Sequence, residues 1–228
     1  MRVELIAHTP DPDRVVAAAA RVSRSRRSGL DLYEDMDEET VRRIINLILE
    51  MGHMSVLEHA SFTFSISGVS RVLTHQLVRH RFASYTQQSQ RVIKVKEPEY
   101  VTPPSISANP EALEIFRRHM EASWKTYRKL MALGVPKEDA RFVLPQAVKT
   151  SIVVTMNARE LWHFFSLRTC MHAQWEIRAL AWRMLSLVKK VAPITFEKAG
   201  PPCFRGFCPE GDEECPLYPG KTVRYARE

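Results

Sequence analysis

The sequence predicts an α+β protein built as one domain. Alternating apolar and polar residues, the pattern of half-buried strands, occur in separate parts of the chain. Longer segments carry apolar residues at helical spacing, so both kinds of element are present. The chain has 228 residues, which is enough to bury a sizeable core.

The first part of the chain is predicted to form a strand and two helices. Residues 2–8 (RVELIAH) alternate apolar and polar side chains and predict a strand. Asp11 or Asp13 is a suitable cap for the alanine-rich helix that follows. Apolar residues at helical spacing within residues 37–51 predict a second helix, which Gly52 ends.

A second strand and a helix lead into an unusual stretch. Residues 60–68 (ASFTFSISG) alternate and predict a strand, and a helix is expected from about Val69 to Arg79. Residues 79–91 (RHRFASYTQQSQR) have little regular pattern and predict a loop that leads into a short extended piece.

The second half is predicted to be mostly helical. The longest helix has Asn109 as its cap, Pro110 at its first position and Gly134 at its end. Four further elements are expected: a short helix within residues 136–145, a β-branched strand at 150–158, and helices at about 159–169 and 173–191. No linker is evident before Pro201, so we expect a domain over residues 1–200 and a Pro/Gly/Cys-rich tail over residues 201–228.

The chain is strongly basic. It has 33 basic and 26 acidic side chains, a net charge of +7 and a pI near 9.4. This charge suits nucleic acid, an anionic membrane surface or phosphorylated small molecules, and does not choose among them. The amino terminus has no apolar leader pattern and no apolar run approaches a membrane span of roughly 18 residues, so we expect a cytoplasmic protein.

The four cysteines allow several interpretations. Cys170 stands alone, whereas Cys203, Cys208 and Cys215 follow a C-x4-C-x6-C spacing without an obvious fourth ligand. A bound metal or cluster, a disulfide and free thiols all remain open for the tail, and a redox or metal protein is one alternative function. His53 and His59 flank Glu58, but they lack the H-E-x-x-H spacing; we expect no metal site.

Residues 79–91 combine three arginines and a histidine with hydroxyl and amide side chains, and contain no carboxylate. Arginine offers a planar fork of donors to phosphate oxygens, and the neutral groups suit the edge of a heterocycle. A basic surface loop or a nucleic-acid patch has the same composition, although only Phe82 and Tyr85 provide aromatic surface. The residues alone therefore predict an anion-binding loop.

This stretch is similar to the signature of the flavin-dependent thymidylate synthases, R-H-R-x-x-S-x-N-x-x-S-x-R. Six of the seven specified residues are present, and Thr86 stands where the family usually has asparagine. Residues 51–64, 139–145 and 156–178 also resemble segments of that family. The resemblance extends from Val3 to about Pro193 and implies a single α+β domain with a central mixed or antiparallel sheet and flanking helices.

The resemblance also implies an activity. Members of the family methylate dUMP to dTMP, with methylenetetrahydrofolate as carbon donor and FAD, reduced by NADPH, as hydride source. It implies a homotetramer with shared active sites and no role for nucleic acid or membrane. Residues 87–91 and Arg141 of one subunit are expected to meet residues 76–79 and Arg168 of its partner at each site.

Matching positions assign the site residues. The residues expected to bind FAD are Ser55, Arg79, His80, Arg81, Gln87, Asn157, Ala158, Arg159 and His163. Those expected to bind dUMP are Gln76, Leu77, Val78, Arg79, Gln87, Gln88, Ser89, Gln90, Arg91, Arg141 and Arg168. Two further candidates for the flavin neighbourhood are His53 and His172.

One of these residues is expected to be catalytic. Uracil C5 becomes nucleophilic when negative charge spreads through the ring, and the fixed cation of Arg168 would stabilise that charge. Ser89 has no adjacent base and is expected to donate a hydrogen bond rather than attack. Cys170 is expected to be a small buried thiol, because the family does not use a cysteine nucleophile.

Overall fold

The computed structural model describes residues 1–92 and 99–218. The α+β class is confirmed: a four-stranded antiparallel sheet with the strand order β1-β2-β4-β3 is accompanied by helices. The strands are β1 (Arg2–His8), β2 (Ser61–Ser70), β3 (Ala83–Gln87) and β4 (Lys149–Asn157). β3 lies inside the arginine-rich stretch, where a loop and a short extended piece were expected.

Most helices of the described residues lie where the sequence predicts them. The helices are α1 (Pro12–Val22), α2 (Gly29–Asp35), α3 (Glu38–Glu50), α4 (Arg71–Leu77), α5 (Pro104–Ser107), α6 (Pro110–Ala132), α7 (Lys137–Ala140), α8 (Ala158–Arg168) and α9 (Trp175–Val191). Of these, α2 and α5 were not predicted, and α4 is shorter than the helix expected from Val69 to Arg79. Short 3-10 turns occupy Met54–His59, Arg141–Val143 and Pro202–Arg205. Within the described residues, none of the helices combines the length and the apolarity needed to cross a membrane.

Side-chain caps explain where several helices begin. Asn109 accepts hydrogen bonds from the N–H groups of Glu111 and Ala112, as expected for the start of α6. Asp13 does not cap α1; its buried carboxylate accepts from the N–H groups of Ile194 and Thr195, each at 2.9 Å. The carboxylate thus satisfies two backbone donors after α9 instead of the first turn of its own helix.

Two compact units divide the described chain. The first comprises residues 1–2, 66–79, 85–92 and 99–153, and its core includes Trp124, Tyr127 and Ala140. The second comprises residues 3–65, 80–84 and 154–218. Its large buried side chains include Phe62, Phe64, Phe164, Phe165 and Phe196. Burying each such ring contributes about 1.5–3 kcal/mol before entropy is counted.

The tail is partly packed. The side chains of Cys215 and Leu217 are each 7% exposed, so residues beyond 200 bury apolar surface. The division of the chain at residue 200 stays a prediction. The residues of the tail from 219 onward lie outside the described part of the chain.

Candidate functional site

His80, the second residue of the arginine-rich stretch, lies buried against α8 and is 4% exposed. Arg168, the last residue of that helix, donates a hydrogen bond from Nε to His80 Nε2 at 3.1 Å. Nε2 accepts this bond only without a proton, which makes the imidazole the neutral Nδ1–H tautomer. His80 Nδ1 lies 3.4 Å from Oε1 of Glu160. The ring therefore lies between a cation and a carboxyl group of one helix.

Burial shifts the pKa values of His80, Glu160 and Arg168. Burial first, and then the charges of Arg168 and His163, lower the pKa of His80 to about 4. Burial raises the pKa of Glu160, while the charge of His163 acts in the opposite direction. Burial also lowers the pKa of Arg168, but a guanidinium stays protonated at neutral pH. Arg168 is therefore a fixed cation beside a neutral imidazole.

The amino end of α8 is held by a side-chain cap and by a backbone hydrogen bond. Asn157 caps the helix by accepting a hydrogen bond from the N–H of Glu160 at 2.9 Å. The N–H of Ala158 donates to the carbonyl oxygen of Ala60 at 2.8 Å, and the Ala158 side chain is buried. In this structure Ala158 therefore fixes the start of α8 and presents no side chain to solvent.

An ion pair connects α8 to the 3-10 turn at Met54–His59. Arg159 Nη1 lies 2.5 Å from Oε1 of Glu58, which belongs to that turn. The same turn carries Ser55, which is exposed. The structure thus brings the expected cofactor residues Ser55 and Arg159 to neighbouring elements of one unit.

A cavity of about 980 Å³ opens along one face of α8. Arg159 and His163, both expected to bind FAD, contribute to its wall. The rest of the wall is partly apolar and partly polar or charged: Leu49, Met54, Trp162, Phe204, Ser166, Glu50, Glu197, Lys198 and Arg205. The volume lies at the upper end for cofactor pockets, and apolar walls with a few charges fit a large aromatic, phosphorylated cofactor such as FAD.

The other end of the arginine-rich stretch lies along β3 and just beyond it. The amide nitrogen of Gln87 donates to the hydroxyl oxygens of Thr74 at 3.2 Å and Thr150 at 3.3 Å. The backbone N–H of Gln88 donates to the carbonyl oxygen of Ser151 at 2.9 Å. The Gln87 side-chain carbonyl oxygen takes no part in these bonds, so it can accept a bond from a ligand.

Arg91 and Arg141 are both held by Glu138. The guanidinium of Arg91 lies 3.0 Å from Oε2 of Glu138 through both Nε and Nη2. Arg141 donates from Nε to the backbone carbonyl of Glu138 at 3.0 Å. A second cavity of about 490 Å³ is lined by Ser89, Arg91 and Lys137 among others. This arrangement gathers donors suited to a phosphate group.

Arg71 was not among the expected site residues. Its guanidinium donates to the carbonyl oxygen of Gln88 at 3.2 Å. Its pKa is lowered by burial and, to a smaller degree, by the charge of Arg141. In the sequence, no acidic residue lies three or four positions from Arg71 to neutralise its charge. This missing partner is the sequence feature that could have marked Arg71 as a site residue.

Residues 76–79 form the carboxyl end of α4 and the turn after it. Leu77 is fully buried, and its carbonyl oxygen accepts a hydrogen bond from the hydroxyl of Tyr85 at 2.8 Å. Val78 and Arg79 are exposed, and Gln76 is half-buried. Leu77 therefore belongs to the core, and its neighbours are the accessible members of this segment.

The remaining expected residues are scattered over the surface. Arg81 and His53 are exposed, whereas Gln90 is half-buried. His172 Nε2 lies 2.9 Å from Oδ2 of Asp212 in the tail. The expected residues thus form two groups. One group, in the second unit, is Ser55, His80, Arg81, Asn157, Ala158, Arg159, His163 and Arg168; the other, in the first unit, is Gln76, Leu77, Val78, Arg79, Gln87, Gln88, Ser89, Gln90, Arg91 and Arg141.

All four cysteines are free thiols in the structure. The pKa of Cys203 is raised by burial first and then by the charges of Cys208, Cys170 and Cys215. The described residues contain no group of three or more His, Cys, Asp or Glu side chains arranged to hold a metal ion. The sequence-based expectation of no metal site stays a prediction.

The chain is similar to proteins of one family along most of its length. The family model described as "Thymidylate synthase complementing protein" matches residues 4–194. A flavin-dependent thymidylate synthase of Geobacter sulfurreducens is 52% identical over 229 residues, which cover 100% of this chain and 97% of the relative. One of Pyrococcus abyssi is 48% identical over 237 residues, which cover 100% of this chain and 96% of the relative.

A solved structure shares the fold. It is the crystal structure of the UMP/dUMP methylase PolB from Streptomyces cacaoi bound with 5-Br dUMP. The TM-score is 0.76 at 29% sequence identity, and the alignment covers 86% of this chain and 93% of that one.

Proposed function

This chain belongs to the flavin-dependent thymidylate synthase family, and from that membership we propose how it carries out the reductive methylation of dUMP to dTMP. The observation that carries the assignment is the match along the whole chain to relatives of that name at about half identity. FAD is the cofactor, and NADPH and methylenetetrahydrofolate are the co-substrates general to the family.

The cavity along α8 is the proposed place of FAD. Arg159 and His163 lie in its wall. The family resemblance adds Ser55, His80 and Asn157 as residues that would hold the cofactor. When bound there, FAD supplies the hydride for the new methyl group. The chain itself provides a cavity whose wall combines apolar side chains with basic and acidic ones.

Arg168 is the proposed catalytic residue. Its Nε is bound to His80, which leaves the two terminal nitrogens of the guanidinium for the uracil ring. Because His80 stays neutral, it orients Arg168 without adding a second charge. A cation held in half-buried surroundings stabilises negative charge on uracil more strongly than one in water. This is electrostatic stabilisation, and no proton moves to the arginine.

Arg91, Arg141 and Ser89 are the proposed ligands of the dUMP phosphate. Arg91 is bound to Glu138 in an exposed ion pair, and such pairs contribute only about 0–1 kcal/mol. A dianionic phosphate therefore displaces the carboxylate at little cost. The neutral side chains of Gln87 and Gln88 would meet the nucleoside.

We also propose that the enzyme is a cytoplasmic homotetramer with shared sites. Each dUMP would be bound by two subunits. One subunit would contribute residues 87–91 and Arg141, and its partner would contribute residues 76–79 and Arg168. Two-fold symmetry makes such an arrangement reciprocal, so each pair of subunits carries two equivalent sites. The proposal derives from the family resemblance, with nucleic acid and membrane excluded as partners.

Formation of dTMP tests this function. Purified protein is stripped of flavin and assayed with dUMP, methylenetetrahydrofolate and NADPH, before and after FAD is restored. We expect turnover only with FAD and all three substrates. Turnover by protein verified to be free of flavin would contradict the proposal, and so would steep, salt-sensitive binding of nucleic acid with no affinity for dUMP.

A further inference from the structure

The 3-10 turn at Pro202–Arg205 packs against the same face of α8 that lines the large cavity. Arg159, His163 and Ser166 are spaced four and three residues apart, which places them on one side of the helix. Arg205 donates from Nη2 to the hydroxyl of Ser166 at 3.3 Å. Its guanidinium also lies 5.3 Å from the ring centre of Trp162. The tail is therefore part of the wall that carries expected cofactor residues.

Hydrogen bonds of the Arg205 side chain and a glycine at position 200 hold this turn in place. Arg205 donates from Nη1 to the carbonyl oxygens of Lys198 at 3.2 Å and Gly200 at 3.3 Å. Gly200 has a φ of 148°, and a Cβ atom there would lie 3.0 Å from Cδ2 of Phe204. Glycine at this position lets the Phe204 ring take its place at the cavity, where it is 44% exposed.

Three basic and two acidic side chains line the cavity, and one of the acidic ones, Glu197, pairs with Arg42 at 2.8 Å. Arg159 is paired with Glu58 at 2.5 Å, and Lys198 lies 3.9 Å from Glu50. Among the described residues Arg205 has no carboxylate partner; its hydrogen bonds go to two carbonyl oxygens and a hydroxyl. Those three bonds leave two of its five N–H groups available.

We infer that Arg205 is a further cofactor-binding residue, which donates to a phosphate oxygen of FAD while Phe204 provides apolar surface beside it. This inference rests on the proposed function. An arginine without a carboxylate partner prefers an anionic ligand, and phosphate matches its planar fork. The other phosphorylated ligands of the reaction, dUMP and NADPH, are alternative sources of that phosphate.

The test measures ligand affinity rather than activity. Flavin-free full-length protein is titrated with FAD, and binding is followed by quenching of flavin fluorescence. Arg205→Gln removes the charge but keeps donor groups; we expect the Kd for FAD to rise about tenfold to a hundredfold, because charged hydrogen bonds are lost. The salt dependence of FAD binding should also weaken in this variant. Arg117→Gln, an exposed arginine of α6, is the matched control and should bind FAD like the wild type.

Separate titrations with dUMP and NADPH identify the source of the phosphate. We expect both affinities to be unchanged in Arg205→Gln, and a loss confined to either of them overturns the inference. If Arg205→Gln fails to fold, Arg205→Lys provides the test, because lysine keeps the positive charge but lacks the planar guanidinium donors. We expect its Kd for FAD to rise about threefold to tenfold, and an unchanged Kd counts against us.

Arg159→Gln distinguishes failure of this inference from failure of the function. If Arg159→Gln weakens FAD binding and a folded Arg205→Gln does not, the inference is wrong and the proposed function stands. If the wild-type protein does not bind FAD, the proposed function falls and this inference falls with it.

Discussion

The two ends of the arginine-rich stretch lie in contrasting surroundings. His80 is buried between Arg168 and Glu160, whereas Arg91 is exposed and pairs with Glu138. Charges interact strongly in low-dielectric surroundings, while water and salt screen exposed charges. The buried end therefore suits charge that develops during a reaction, and the exposed end suits attraction of an anion from solution.

This contrast separates rate from affinity. An interaction that strengthens only in the transition state raises kcat, whereas one made equally with substrate and transition state changes affinity alone. We expect substitutions at the Arg168 end to lower kcat and substitutions at the Arg91 end to weaken dUMP binding. Arg168→Ala tests the first of these expectations and Arg91→Ala tests the second.

The largest effect is expected at Arg168. Arg168→Ala removes the cation that stabilises charge on uracil, and loss of a comparable donor costs about 2.7–4 kcal/mol, or roughly 10²–10³ in kcat. FAD should remain bound, which the visible flavin absorbance of the purified variant reports. The exposed Arg117→Ala serves as the matched control. An active Arg168→Ala enzyme would remove this residue from the mechanism.

A smaller effect is expected at Arg91. Arg91→Ala should raise the Kd for dUMP about tenfold to a hundredfold, as expected for a lost charged hydrogen bond, with kcat nearly unchanged. Glu138→Gln removes the competing carboxylate and should tighten dUMP binding slightly. Isothermal titration at two salt concentrations measures both. A fall in kcat with unchanged affinity would contradict the division.

The pH dependence of stability tests the burial of His80. Its pKa is about 4 in the folded protein, below the ordinary value of 6.5, so the unfolded chain binds more protons between these values. Stability supplied by neutral His80 is therefore present above pH 6.5 and is lost as pH falls towards 4. From pH 7 to pH 5 this loss amounts to about 2 kcal/mol.

Urea unfolding of the wild type and His80→Gln measures this loss. The variant keeps an acceptor for Arg168 but does not titrate, so its stability should fall less with pH. The raised pKa of Glu160 acts in the opposite direction in both proteins and largely cancels in the comparison. Parallel pH profiles would show that His80 is not held neutral by burial.

The smallest effect is expected in the tail. Replacing Cys203, Cys208 and Cys215 by serine should change kcat/KM by less than about threefold, since none of these three side chains lines the cavity along α8. The melting temperature should fall, because the Cys215 side chain is buried. Stoichiometric metal in the wild type, together with loss of activity in the variant, would overturn this expectation.

Local signals predicted most of the fold. Asn109 followed by Pro110 predicted the start of α6, and alternation within residues 60–68 predicted β2. The helix α2 was missed because its seven residues are too few for a periodic pattern, and only Leu32 is buried. A capping box between Ser28 and Asp31 stabilises it instead.

The site was predictable only where the family motif covers it. The contacts of Arg71 with Gln88 and of Arg205 with Ser166 join residues 17 and 39 positions apart, and no local pattern specifies such pairs. Asp13 is a stronger example, since its partner Ile194 lies 181 positions away. Such contacts follow from tertiary packing, which one sequence does not reveal.

The central claim is that the exposed Arg91 and the half-buried Arg168 act on one dUMP from two subunits. Arg91→Ala and Arg168→Ala proteins are mixed in equal amounts, mildly dissociated and reassociated, and then assayed at a dUMP concentration near the wild-type KM, at which each variant alone is only weakly active. In a mixed pair one site then carries both substitutions and the other carries none. Random pairing should restore about a quarter of the wild-type sites.

Formation of dTMP by the mixture is the deciding measurement, with each variant treated alone as control and subunit exchange verified by native mass spectrometry. We predict activity near a quarter of the wild-type value. Verified exchange without any gain over the single variants would mean that Arg91 and Arg168 serve a dUMP from the same subunit, and the claim would be wrong.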